Sequence, residues 1–151
     1  MIEIGSLAAL KEMIGKEMAP SEWLEISQAR VDQFAEATGD SQWIHVDVER
    51  SRRELPYGGT IAHGFLTLAL LPQFFGAAMR MTDVKMMVNY GLNRVRFPAP
   101  LPVGSRVRGR LALLAVEDIA GGAQMVWEVT IEREGGDKPV CVAEAVLRRY
   151  P

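Results

Sequence analysis

The chain has 151 residues, of which 48% are hydrophobic and 24% charged, a balance that fits one folded domain and excludes a disordered segment. Seventeen Lys and Arg against nineteen Asp and Glu give a net charge of −2, which excludes the basic footprint of a dedicated nucleic-acid binder. One cysteine, Cys141, and two histidines rule out an internal disulfide and a closed zinc site, so no metal is expected and the reducing cytoplasm is the expected compartment.

No basic stretch precedes an apolar core at the amino terminus, so no signal peptide is expected. Ser6 is placed to cap a helix carrying Leu7, Leu10, Met13, Ile14 and Met18 at helical spacing, stopped by Pro20. Residues 23–26 read as a short strand. Ser27 then caps a second helix with Val31, Phe34, Ala35 and Thr38 on one face, and Gly39 stands at its left-handed stop. The polar run from Asp40 to His45 is expected as a loop leaving that helix, and Asp47 as the cap of a short helix reaching Leu55. From His63 onward the residues are apolar on nearly every side: Phe65, Leu66, Leu68, Leu70, Leu71, Phe74 and Phe75. Such a helix has no solvated face and must be wrapped by other structure. Its interruptions at His63, Gly64, Thr67, Pro72, Gln73 and Gly76 set it apart from a membrane span.

Beyond about Asp83 the hydrophobic period changes to two. Val84, Met86, Val88 and Tyr90 alternate with other residues, and Val107, Gly109, Leu111, Leu113 and Ala115 do so again. Gly121-Gly122 turns the chain into the cleanest alternation, Ala123, Met125, Trp127, Val129 and Ile131; Gly135-Gly136 turns it again before a last strand from Val140 to about Arg149. Strands joined by Gly-Gly turns predict an antiparallel sheet, and the economical packing curls it around one long buried helix. The fold class is α+β, in a single domain over residues 1–151.

Two features carry candidate chemistry. Asp40 and His45, five apart after a helix end, pair a carboxylate with an imidazole that titrates near neutrality, a combination able to hold a water and move its protons. On spacing alone capping and solvation are the commoner explanation of such a pair, and Asp47 reads better as a helix cap. The second feature is the run from Gly58 to Gly64. The first amides of a helix are unpaired and lie at the positive end of its dipole, so the Gly64 N–H is the natural donor to an oxygen that becomes negative. A glycine kept only for a tight start of the helix explains it as well. His63 reads as a structural hydrogen-bonder, Trp127 and Met125 as core, and Cys141 as a small buried hydrophobe.

Phe34-Ala-Glu-Ala-Thr-Gly-Asp40-Ser-Gln-Trp-Ile-His45, with Ser51 six residues on, resembles the hydratase motif of the MaoC-like, R-specific enoyl-CoA hydratases. Ile61-Ala-His-Gly-Phe-Leu66 is similar to the segment that starts that family's central helix. The runs Trp43 to Asp47, Gly58 to Gly64 and Asn89 to Pro100 look especially like the nodulation-protein-N-like branch. The resemblance spans about Trp23 to Arg149. It implies a hot-dog fold, an antiparallel sheet wrapped around one long central helix, and a homodimer joined by sheet pairing. By position, Asp40 and His45 match the catalytic pair, and Gly64 the glycine whose amide binds the thioester oxygen. Two departures stand out: Gln42-Trp43 replaces the usual Asn-Pro, and Pro72 stands where some members place a supporting serine.

The implied activity is reversible addition of water to a trans-2-enoyl-CoA, giving an (R)-3-hydroxyacyl-CoA. No cofactor is implied, because coenzyme A enters as part of the acyl-CoA substrate; no nucleic acid and no membrane is expected as a partner. Arg94, Arg96, Arg106, Arg108 and Arg110 are candidates for coenzyme A phosphates, against a solvated strand face for most of them. A hot-dog acyl-CoA thioesterase is the alternative within catalysis, and residues 61–81 lack the Asp or Glu that many such enzymes carry on the central helix. The alternative outside catalysis is an acyl-thioester-binding module.

Overall fold

The computed structural model describes residues 1–151. Its four long strands come from the period-two half of the sequence: β4 (Met86–Arg96), β5 (Arg106–Ile119), β6 (Gly122–Arg133) and β7 (Cys141–Tyr150). With a short strand β2 (Leu24–Glu25) they form one antiparallel sheet in the order β2-β5-β6-β7-β4. Alternation does the sorting. Ala123, Met125, Trp127, Val129 and Ile131 of β6 are all buried on the concave face, opposite Cys141, Ala143, Ala145 and Leu147 of β7. Gly121 (φ +78°) and Gly135 (φ +72°) make the turns that join these strands, in backbone geometry that a side chain opposes.

The concave face wraps the apolar helix expected from His63 onward, and the arrangement is the hot-dog one. That helix is not one long rod, however. It runs as α5 (Gly64–Ala69) and α6 (Leu71–Ala78), separated at Leu70. Pro72 has no N–H for the carbonyl four residues back, and the chain tightens there: Leu70 N–H donates to Thr67 O (3.2 Å) and Gln73 N–H to Leu70 O (3.0 Å). Nor is the helix wrapped on every side. Leu66, Leu70, Leu71, Phe74 and Phe75 are buried, whereas Phe65 is 70% exposed.

Gly109 of β5 shows how closely helix and sheet approach. A Cβ at this position would lie 2.7 Å from Cγ and 2.9 Å from Cβ of Phe74, so α6 rests directly on the bare backbone of the strand. Gly109→Ala is expected to destabilise the fold by about 1–3 kcal/mol through overpacking. Urea unfolding should show the loss, and the added Phe74→Leu change should recover part of it.

The capped helices lie where the sequence puts them. In α2 (Gln28–Thr38) the Ser27 hydroxyl accepts from Arg30 N–H, and Gly39 closes the helix at φ +78°. In α4 (Val48–Glu54) the Asp47 carboxylate accepts from Arg50 N–H. The first helix is shorter than its apolar spacing suggests: α1 covers only Leu7–Lys11. Gly15 (φ +80°) then redirects the chain along β5, where the amides of Gly15, Met18 and Ser21 donate to the carbonyls of Leu113, Leu111 and Gly109. Satisfying that sheet edge outweighs about two more turns of helix. A parallel pair of short strands, β1 (Ile2–Ile4) with β3 (Met79–Met81), has no counterpart in the sequence reading.

At the other edge, β4 departs from simple alternation. Register shifts between Asn89 and Gly91 and between Leu92 and Arg94 bend it, and Met86, Met87, Val88, Tyr90 and Leu92 are all exposed. Arg106, Arg108 and Arg110, candidates for phosphate contact, are instead paired with Glu134, with Glu132, and with Glu17 and Glu132, respectively. Their guanidinium groups lace the ends of neighbouring strands together. Cys141 is fully buried, and desolvation pushes its thiol up to about 11. No helix is long and apolar enough to cross a membrane.

Candidate active site

Three segments meet beside the start of α5. The first is the loop that Gly39 releases from α2, carrying Asp40. The second is a single helical turn, α3 (Trp43–Val46), carrying His45; the expected loop therefore contains a turn of helix. That turn is held from behind by Ser51, a fully buried residue of α4 whose hydroxyl donates to Trp43 O (3.3 Å), while Arg50 stacks its guanidinium 4.0 Å from the centre of the Trp43 ring. Trp43 and Gln42, in place of the usual Asn-Pro, are thus accommodated as the start of α3. The third segment is Thr60–Gly64.

His45 is clamped. Its Nδ1 lies 2.6 Å from Ile61 O, and because a carbonyl only accepts, the hydrogen sits on Nδ1 and leaves Nε2 bare in the neutral ring. Nε2 looks towards Asp40, 4.0 Å from Oδ2. The imidazole is buried and the Asp40 side chain half exposed. Burial holds the His45 pKa below its ordinary value; the bond to Ile61 opposes this, the neighbouring His63 adds to it, and Asp40 opposes it. Near neutral pH His45 is therefore an uncharged ring with a lone pair facing a carboxylate.

Gln28, in the first turn of α2, braces both ends of that geometry. Its Nε2 donates to His45 O (2.8 Å) and to Asp32 Oδ1 (2.8 Å), and its Oε1 accepts from Thr60 Oγ1 (2.5 Å), one residue before the carbonyl that holds the imidazole. Ile61 N–H donates in turn to Ile44 O. Nothing in the local sequence marks Gln28, since a polar residue in a first helical turn is ordinary.

Gly64 is the first residue of α5, and its N–H donates to no acceptor within the chain. Its backbone is free of positive φ, so left-handed geometry does not demand a glycine here. Close approach does: a Cβ would meet the Phe97 ring at 3.2–3.3 Å. A cavity of about 340 Å³ opens here, with His45, Gly64, Thr67, Phe97, Leu101 and Val140 in its wall. Of the polar groups near Pro72, Thr67 reaches the site, its hydroxyl donating to His63 O (3.4 Å), whereas Gln73 points away and accepts from Arg30. Phe74 is locked under Gly109, and Phe75 packs edge-on against Trp127 with ring centres 5.4 Å apart.

Donor atoms of Asp40, His45 and His63 lie within 4.8 Å of one another, the raw material of a metal site. The two imidazoles, however, are stacked, with centroids 3.8 Å apart and planes 25° from parallel. Lone pairs of imidazole lie in the ring plane, so an ion cannot sit in both planes at bonding distance from both nitrogens. The arrangement suits proton transfer better than coordination.

A curled antiparallel sheet around a central helix, with this aspartate–histidine pair beside a free amide, defines a protein of the hot-dog class. More narrowly, the chain belongs to the MaoC-like domain family, whose model matches residues 9–134. It is 51% identical over 144 residues to 3-hydroxyacyl-thioester dehydratase Z of Mycobacterium tuberculosis, covering 95% of each chain. It is 46% identical to nodulation protein N of Rhizobium leguminosarum bv. viciae, covering 91% of this chain and 87% of that one. Among solved structures, the (R)-hydratase of A. caviae involved in PHA biosynthesis superposes with a TM-score of 0.73 at 22% identity, over 91% of this chain and 96% of that one, a likeness of fold.

Proposed function

We propose that the protein is a hydro-lyase that interconverts a trans-2-enoyl thioester and the (R)-3-hydroxyacyl thioester, with coenzyme A as the thiol. The observation that carries this reading is the 4.0 Å gap between His45 Nε2 and Asp40 Oδ2. It is too long for a direct hydrogen bond, but a water about 2.8 Å from each atom would subtend roughly 90°, close to the angle at which water bonds two acceptors. The 51% identity to a 3-hydroxyacyl-thioester dehydratase supports the same substrate class.

In hydration the water gives one proton to His45 Nε2 as its oxygen bonds to C3. Asp40 accepts the second hydrogen of that water and steadies the imidazolium as it forms. Electrons move through the conjugated system onto the thioester oxygen, where the Gly64 N–H receives the growing charge. The imidazolium then returns its proton to C2, and the enzyme ends as it began. The depressed pKa of His45 suits this assignment, because the neutral ring is the form that starts the cycle. No resident cofactor or metal enters the scheme.

Incubating the protein with trans-2-enoyl-CoAs of increasing chain length tests the reading. Loss of enoyl-thioester absorbance, with 3-hydroxyacyl-CoA formed and no free thiol, is the expected result. Release of coenzyme A from saturated acyl-CoAs instead would make it a thioesterase, and binding without turnover would make it an acyl-thioester-binding module.

The working unit we propose is a homodimer. Strand β4 offers an unpaired edge of 11 residues with Met86, Tyr90 and Leu92 exposed, and Phe65 adds a large exposed ring. An apolar edge of that length invites a further strand. Sedimentation equilibrium is expected to give the mass of two chains, and a stable monomer would reject the dimer.

A further inference from the structure

One imidazole physically links all three groups of the proposed site. His63 is 3% exposed and sits immediately before Gly64 in the chain. Its Nε2 lies 2.9 Å from the main-chain carbonyl of Asp40, and since that carbonyl can only accept, His63 donates there. One face of the ring lies flat on His45, and Phe34 of α2 packs edge-on against it with centroids 5.0 Å apart. Its remaining nitrogen, Nδ1, is buried without a hydrogen-bond partner. An ordinary core position would be filled at lower cost by an apolar ring, because a buried polar atom left unpaired loses its bonds to water and gains none in return. A histidine retained under that penalty invites a role for its other nitrogen and for its face.

We propose that His63 is a positioning residue for the Asp40–His45 pair: its Nε2–H sets the backbone of Asp40, its face sets the plane of His45, and its own backbone sets the Gly64 amide. The inference rests on the hydratase reading of Asp40 and His45. Physically, the half-exposed Asp40 sits on a loop with few other anchors. Its carboxylate accepts only a long bond from Gln42 N–H (3.4 Å), and its N–H makes only a long bond to Thr38 Oγ1 (3.5 Å). The 2.9 Å bond from His63 is the shortest hydrogen bond to that residue, so the 4.0 Å gap to His45 is set largely by the ring that also stacks on His45. The charged or titratable groups facing His45 are Asp40 from the loop and His63 from the start of α5.

Two substitutions separate the two contacts. His63→Phe keeps a flat ring against His45 and removes the donor; His63→Gln keeps an amide donor within reach of Asp40 O and removes the ring. With His63→Phe, kcat on an enoyl-CoA is expected to fall ~10–100-fold with KM nearly unchanged, the penalty of a displaced reacting group. With His63→Gln, more of kcat should survive. There the acid limb of the pH–rate profile should move up towards the ordinary histidine value, because burial and the neighbouring ring both hold the His45 pKa down. His45 titration followed by NMR should move in the same direction, and this readout does not depend on turnover. A shifted titration in an otherwise inert protein would retain the proposal about His63 and reject the hydratase. Wild-type kcat and an unmoved His45 titration in both variants, each folded by near-UV circular dichroism, would overturn the proposal. Should either variant fail to fold, His63→Asn, which also lacks the ring, takes its place in the His45 titration.

Discussion

Asp40→Asn and His45→Gln are each expected to lower kcat for enoyl-thioester hydration by ~10²–10⁴-fold, the usual contribution of a positioned acid or base. The two variants fail for different reasons. Asparagine has the shape of aspartate but one of its two oxygens becomes a donor, so it neither orders the water in the same way nor offsets charge on an imidazolium 4.0 Å away. Glutamine at position 45 can keep a hydrogen bond to Ile61 O, now 2.6 Å from Nδ1, but has no lone pair basic enough to take the proton of a water. Their effects should not add, because both groups act on one water. Loss of enoyl absorbance measures the rates, and circular dichroism checks the folds; a folded Asp40→Asn variant as fast as wild type would remove Asp40 from the mechanism.

The Gly64 amide can be tested without abandoning the helix. Proline is accepted at the first helical position, where its missing N–H is unpaired in any case, and the residue before it must be extended. His63 already is, at φ −60° and ψ 136°. The obstacle is Phe97, whose ring would lie 3.2 Å from any new Cβ. In a Phe97→Ala background, Gly64→Ala keeps the N–H and Gly64→Pro deletes it at similar volume. The proline double variant is expected to turn over ~10²–10³-fold more slowly than the alanine one, or about 2.7–4 kcal/mol of lost transition-state stabilisation. Equal rates for the two would mean that Gly64 is present for Phe97 alone. The comparison thus separates the two explanations that the sequence leaves open for this glycine.

Legibility along the chain followed the range of the forces involved. Ser27, Gly39 and Asp47 act within one turn of their own helices, and each makes the cap or stop its position implies. The strands from Arg106 to Tyr150 were readable because one face of each is dry, which imposes a period of two over ten or more residues. The residues 11–18 misled for the same reason in reverse. Their helical spacing is real, but the amides of Gly15, Met18 and Ser21 are taken by the edge of a strand nearly a hundred residues later. The long central helix misled locally: Pro72 carries the signal for the break at Leu70, but the apolar residues on both sides of it read as one buried helix.

By itself the sequence determined the antiparallel hot-dog architecture, the family, and the three positions Asp40, His45 and Gly64 as candidates, because short-range capping, alternation and a contiguous motif are properties of neighbouring residues. Only the tertiary structure decided how those candidates relate. The bare Nε2 of His45, the stack of His63 on His45, the brace from Gln28 and the approach of Phe97 to Gly64 all join segments between about 16 and 33 residues apart, and the 4.0 Å gap, although Asp40 and His45 are near in the chain, is bounded by those same contacts. Ring tautomer and lone-pair direction depend on which carbonyl lies opposite each nitrogen, and that is settled only when distant segments pack.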